Sequence, residues 1–383
     1  MDMIDILTAA VKMGVSDIHV VPKRPVMVRK NGAMTPLPEY KETPLSGDDT
    51  KTLIYGILLD EQKSHFEENL ELDCSFQIEN ISRFRVNVLM QKDGVGAVLR
   101  VISSEIPSPE ALAFTPAMME CMKYPRGMVL VTGPTGSGKS TTLAAMLETI
   151  NRERQDHILT IEDPIEFVYQ SKGCVFTQRE VGASTRSFTG ALRAALREDP
   201  DIVLVGEMRD LETIGAALTI AETGHLVFGT LHTTDAPQTV DRIIDVFPSH
   251  QQAQVRTQLS VTLKAVITQQ LLPTPDGKGR VAAREILIVT PAIANLIRDG
   301  KTHLIYGALE TGMKFGMISM DKALAQLVKA GKVTKEAALA KAGNPDMLNQ
   351  YIASLGRAPG TGGGGMSGGM PGAAAGGPAK RPF

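Results

Sequence analysis

Tryptophan is absent from this sequence and aromatic residues make up only 4% of it, which argues against a nucleic-acid platform built by stacking bases on rings. A basic excess is lacking as well. Forty lysines and arginines stand against 42 aspartates and glutamates, so the composition shows no cationic footprint for a polyphosphate backbone. The three cysteines, Cys74, Cys121 and Cys174, are odd in number and far apart. They make neither a disulfide framework nor a CxxC metal knuckle, and they read as reduced, partly buried thiols. No apolar run approaches the roughly 18 residues of a membrane span, and the first five residues hold two acids where a secretory signal needs bases. These absences lead to the expectation of a cytoplasmic globular protein.

What is present changes character along the chain. Residues 2–13 carry helical periodicity (Ile4, Leu7, Val11) and stop at Gly14, a residue suited to a left-handed helix end. Alternating segments follow, with tight hairpin turns expected at Asn31-Gly32 and Asp93-Gly94. A helix is expected around 47–68, and strands near LDCSFQI, RFRVNVLM and AVLRVI complete a small α+β unit. SSEIPSPEAL has two prolines and no period, and reads as a linker. From residue 126 short buried-type strands (129–132, 158–161, 202–205, 226–230) alternate with helices (140–151, 188–198, 211–222), the pattern of a parallel sheet covered on both faces. Beyond about 290 the pattern is helical. The expected division is a domain over 1–103, a linker over 104–113, a second domain over 114–358 and a glycine-rich tail over 359–383. That tail cannot bury enough apolar surface to offset its ordering entropy.

GPTGSGKS, Gly133 to Ser140, satisfies GxxxxGK[ST] between a strand and a helix, the context in which the motif holds phosphate. Its members Gly133, Pro134, Thr135, Gly136, Ser137, Gly138, Lys139, Ser140 and Thr141 are the expected nucleotide-binding residues. Backbone N–H groups approach the phosphates, Lys139 reaches the β and γ oxygens, and the Ser140 hydroxyl is placed for Mg²⁺ at the positive end of a helix. Hydrolysis needs carboxylates near the attacking water and the metal. Glu162, Asp163 and Glu166 follow one predicted strand, and Glu207 follows another, where a Walker B acid stands. A single acid at a strand end reads equally well as a solvated cap. Together with the loop, and at the carboxyl edge of one sheet, these acids point to catalysis. His232 ends a third strand, where a lone histidine is commonly structural, but it emerges at the same edge and so within reach of a γ-phosphate.

In this order, GPTGSGKST, TIEDPIEF, LVGEMRDLET and GTLHTTDA resemble the motifs of the type II/IV secretion ATPase superfamily, most closely its type IV pilus retraction ATPases of the PilT kind. The resemblance runs from SDIHV to about residue 350. It implies an α/β chain: an N-terminal PAS-like α+β domain, then a RecA-like P-loop ATPase domain with a helical C-terminal part. It also implies ATP and Mg²⁺ as cofactors. Carried over, Lys139 and Ser140 match the Walker A loop, Glu166 the water-orienting base with Glu162 beside it, Glu207 the Walker B acid and metal partner, and His232 the histidine box. Arg83, Arg85 and Arg100 resemble phosphate-contacting arginines that act across a domain boundary. The alternative for these three is a row of exposed arginines on a strand. A homohexamer at the cytoplasmic face of the inner membrane, working on a pilus platform protein, is implied as well, and nucleic acid is not an expected partner.

Two features sort the subfamily. The longer N-terminal region and four-cysteine motif of assembly and secretion members are absent. The retraction signature AIRNL reads AIANL here, with Ala294 in place of arginine, and LLPTPDGKGR resembles the accessory retraction ATPases of the PilU kind. Assistance to a second retraction ATPase is thus the runner-up, ahead of a RecA-type nucleic-acid translocase. No NKxD base-recognition motif of a GTPase is found.

Overall fold

The computed structural model describes residues 1–356, except Asn31, Asn80, Ser103 and Ser104. Six strands, β1 (Asp17–Val20), β2 (Met27–Lys30), β3 (Ala33–Pro36), β4 (Glu71–Ile78), β5 (Ser82–Gln91) and β6 (Gly94–Ile102), form an antiparallel sheet in the order β3-β2-β1-β6-β5-β4. Alternation in β5 decides its faces. Phe84, Val86 and Val88 are fully buried with Met3, Ile6, Leu7 and Ala10 of the N-terminal helix Met3–Met13, whereas Arg83 and Arg85 point away. The helix ends where expected, at a left-handed Gly14. Lys30 pairs with Ala33, closing the first expected hairpin, although Asn31 itself lies outside the described residues; Gln91 pairs with Gly94 in the second.

The expected single helix over 47–68 is corrected to two, Gly47–Tyr55 and Asp60–Asn69. Ser46 and Asp49 form a reciprocal capping box that starts the first, and the Gln62 side chain accepts from the Leu59 N–H to start the second, so two separate nuclei divide the periodic stretch.

A second sheet follows: β7 (Gly127–Thr132), β8 (His157–Glu162), β9 (Val175–Glu180), β10 (Ile202–Val205), β11 (Leu226–Leu231), β12 (Leu263–Pro273) and β13 (Arg280–Ile288), in the order β13-β12-β7-β11-β10-β8-β9. All neighbours are parallel except β12 and β13. Strands β7, β10 and β11 are buried at every position, as a sheet with helices on both faces requires. One face packs on the helices Leu211–Glu222, Ala236–Asp245 and Ser249–Thr262; the other packs on Pro116–Cys121 and Lys139–Glu153. The expected helix over 188–198 ends sooner, at Ala195. Beside β13 the helices Met320–Lys329, Lys335–Leu339 and Pro345–Gly356 build a small separate core. The segment expected as a tail, 359–383, lies outside the described residues.

Candidate active site

Because β7, β8, β10 and β11 run parallel in near register, the loops that follow them emerge at one edge of the sheet. The phosphate loop leaves β7 through Gly133, whose φ of 135° and position against β12 admit no side chain: a Cβ there would stand 2.2 Å from the Gln269 carbonyl oxygen. Pro134, Thr135 and Gly136 are exposed, Ser137 is buried, and Gly138 leads into the helix Lys139–Glu153. The Lys139 ammonium is folded back onto its own loop and donates to the carbonyls of Gly133 at 2.8 Å and Pro134 at 3.2 Å. Burial pulls its pKa below the usual lysine range, while Glu207 and Glu166 act against that pull.

Ser140, Glu162, Asp163, Glu166 and Glu207 line one small cavity of about 70 Å³, closed at its sides by Leu143, Phe167, Tyr169 and Thr230. Glu162, the last residue of β8, is 7% exposed. Its Oε2 accepts from the Glu166 N–H at 3.3 Å, and its Oε1 accepts from Gln178 Nε2 at 3.4 Å. Burial pushes its carboxyl up to about 7 despite these bonds. Glu166, four residues on, is exposed at the rim. Burial also pushes Glu207 up, but contacts to Arg209 and His232 prevail and hold its carboxyl below the ordinary range. Both contacts fall on Oε1, at 2.5 Å from Arg209 Nε and 2.7 Å from His232 Nε2.

The three arginines do not join this cavity within one chain. Arg83 crosses from the first sheet to the second, where Nη2 donates to Glu180 Oε2 at 2.6 Å and to Ser75 Oγ at 2.8 Å. Glu180 is itself buried and also accepts from Ser75 Oγ and the Ile165 N–H. Arg100 binds Asp17 at 3.0 Å, and exposed Arg85 lies directly across the strand pair from Arg100. Arg85 and Arg100 thus share one face of the N-terminal sheet.

Sequence reasoning did not single out Arg209, Gln178, Glu180, Gln269 or Arg284. Arg209 stands in the LVGEMRDLET motif and was within reach. The other four come from β9, β12 and β13, strands that sequence reading did not place; Gln269 reaches the phosphate loop from 132 positions away, and Arg284 holds Gln269. A second, larger cavity of about 700 Å³ adjoins the other flank of the loop, with Gly138, Thr141, Leu112, Leu271, Gln269 and Arg284 in its walls. It has room for a nucleoside.

A magnesium ion fits the oxygen donors at the small cavity. Ser140, Glu162 and Glu207 offer hard oxygen there, yet among the described residues no group of three or more His, Cys, Asp or Glu could hold a metal. Oxygen donors are the ligands that Mg²⁺ takes, with waters and substrate phosphates filling the rest of its shell.

Residues 2–337 match the family model for the type II/IV secretion system protein. The chain is 51% identical over 346 residues to the type IV pilus retraction ATPase PilT of Pseudomonas aeruginosa, covering 90% of this chain and 99% of that protein. It is 41% identical over 352 residues to the type IV pilus ATPase PilU of the same organism, covering 92% and 91%. Among solved structures, the pilus retraction motor PilT with bound ADP superposes with a TM-score of 0.85 at 45% identity, covering 91% of this chain and 99% of that one.

Proposed function

The chain belongs to the type II/IV secretion system protein family, and from that premise we propose that it is a homohexameric ATPase that drives type IV pilus retraction. One observation carries the chemistry: Ser140, Glu162, Glu166 and Glu207 line a single cavity beside the phosphate loop. Similarity to a retraction ATPase over nearly its whole length supports the biological role.

In this reading the triphosphate lies along Gly133–Thr141 and draws the Lys139 ammonium off its two loop carbonyls toward the β and γ oxygens. The base and ribose occupy the larger cavity. Ser140 and Glu207 would hold a magnesium ion, which would supply positive charge to the phosphate oxygens. Glu166 at the rim orients the attacking water and takes its proton as the bond to the γ-phosphorus forms and the bond to the ADP oxygen breaks. Glu162 fixes the backbone that carries Glu166. Arg209 and His232 keep Glu207 ionised, and His232 is placed to register loss of the γ-phosphate. Arg85 and Arg100, which share one face of the N-terminal sheet, serve at the boundary with a neighbouring subunit, whereas Arg83 is held by Glu180 of its own chain. ATP binding and release shift the population of domain arrangements, and the ring turns an inner-membrane platform protein from its cytoplasmic side.

A second reading, an accessory motor working with another retraction ATPase, is favoured by Ala294 in the helix Pro291–Arg298. One experiment tests both. The purified protein is assayed for ATPase activity and ring mass, and twitching is scored in a strain that lacks every homologue and is complemented with this chain or with Lys139→Ala. Turnover and restored twitching, both lost in Lys139→Ala, are expected. Twitching restored only alongside a second ATPase assigns the accessory role, and normal turnover by Lys139→Ala would remove the phosphate-loop argument.

A further inference from the structure

Gln269 and Arg284 are cross-strand partners on β12 and β13, and both are nearly sealed from solvent, at 2% and 8% exposed. The Gln269 amide donates from Nε2 to the Ser137 carbonyl of the phosphate loop at 2.5 Å. Its Oε1 accepts from Thr142 Oγ1 and from Arg284 Nε, each at 2.8 Å. The same guanidinium donates from Nη1 to the carbonyls of Leu112 at 2.8 Å and Ala113 at 3.4 Å, and lies over the Phe114 ring at 5.5 Å. A continuous line of hydrogen bonds therefore runs from the phosphate loop to the segment that joins the two domains.

Three further features mark this line as more than packing. Arg284 is a buried cation bonded to an amide and two carbonyls, and burial alone accounts for its displacement to about 10. A cation so placed is costly to hold without a carboxylate. Ala113, one of the residues it grips, is a non-glycine residue at φ 52°, in the left-handed region; such a conformation persists only where the surroundings dictate it. Finally, the phosphate loop has no slack against β12, since Gly133 already abuts the Gln269 backbone.

We propose that Gln269 and Arg284 are positioning residues that couple the state of the phosphate loop to the conformation of the linker over 105–115. A bound phosphate attracts the N–H groups of the loop and reorients its carbonyls, including Ser137. Gln269 has one amide to divide between Ser137, Thr142 and Arg284, so a change at Ser137 alters its hold on the guanidinium, and Arg284 passes that change to the Leu112 and Ala113 carbonyls. Neither residue touches the reacting atoms. The coupling rests on the loop being a nucleotide site, as argued above.

The test is hydrogen–deuterium exchange on the full-length protein with and without saturating ADP, comparing the natural chain with Arg284→Met and Arg284→Lys. In the natural chain ADP should protect 133–143 and change exchange over 105–115. Arg284→Met should keep the loop protection and lose most of the linker response, by at least about fivefold; Arg284→Lys, which retains charge without the fork, should fall between. An undiminished linker response in Arg284→Met with a protected loop overturns the coupling. No loop protection in the natural chain overturns the nucleotide reading itself and the coupling with it. General loss of protection in Arg284→Met marks misfolding, and Arg284→Lys then decides: an intermediate response supports the coupling, a full one refutes it.

Discussion

Glu162 and Glu166 stand four positions apart at the end of β8, yet one is buried at 7% exposure and the other sits at the rim. If Glu166 orients water, Glu166→Gln should bind ATP normally and hydrolyse it about a hundredfold to ten-thousandfold more slowly. Single-turnover kinetics with a separate binding titration check this, and an unimpaired rate moves the base to Glu162 or Glu207. Glu162 gives a different signature. Its folded-state pKa is raised from 4.5 to about 7, so between those values the folded chain holds a proton that the unfolded chain has released. Stability from this group is therefore greatest below about pH 4.5 and declines as pH rises through 7, by up to about 3 kcal/mol at about 1.4 kcal/mol per pH unit. Glu162→Gln keeps the shape without the ionisation, so its stability relative to the natural chain should increase from pH 5 to pH 8 in denaturant titrations. Glu285, also raised to about 7 by burial while it accepts from the N–H groups of Ala236 and Met320, contributes a slope of the same sign to both proteins. A flat difference between the two would show that Glu162 is ionised throughout.

At the scale of single elements, the phosphate loop depends on glycines for two distinct reasons. Gly136 has φ 76° and open space around it, whereas Gly133 combines φ 135° with backbone 2.2 Å from where a Cβ would lie. Gly136→Ala should therefore cost only about 1–2 kcal/mol, the penalty of the left-handed conformation. Gly133→Ala adds overpacking against β12, about 1–3 kcal/mol more, and should distort the loop enough to weaken ADP binding. Melting temperatures and ADP titrations of the two variants check the ordering. Equal effects would mean that β12 yields to the loop. Elements also mark where periodicity misleads. The 47–69 stretch looks like one helix because hydrophobic spacing persists through it, but the two caps break it. Strand β9 was not read at all, because VFTQRE has none of the apolar run that betrays a central strand; it pairs with β8 at the sheet edge, where mixed polarity suffices.

Over the whole molecule, the Arg83–Glu180 pair joins the N-terminal sheet to the ATPase sheet, with side chains 15% and 5% exposed. Removing Arg83 leaves a buried carboxylate with only a hydroxyl and an N–H as partners, a change that typically costs about 3–5 kcal/mol. Arg83→Ala should therefore loosen one domain from the other and lower the urea midpoint of the isolated chain, besides any effect on the assembled ring. An unchanged midpoint would leave action on a neighbouring subunit as its role. The sequence by itself determined the alternation of β7, β8, β10 and β11 with helices, the phosphate cradle, and the acids at the strand ends. Each of these is written in local terms: a run of buried residues, a glycine spacing, a residue type at the end of a strand. Tertiary structure alone decided that Arg83 pairs with Glu180, that Glu162 is buried while Glu166 is not, and that Gln269 and Arg284 link the loop to the interdomain segment. Those depend on which strands become neighbours: β9 joins β8 and β12 joins β7 through non-local pairing, although the β12–β13 hairpin itself is local.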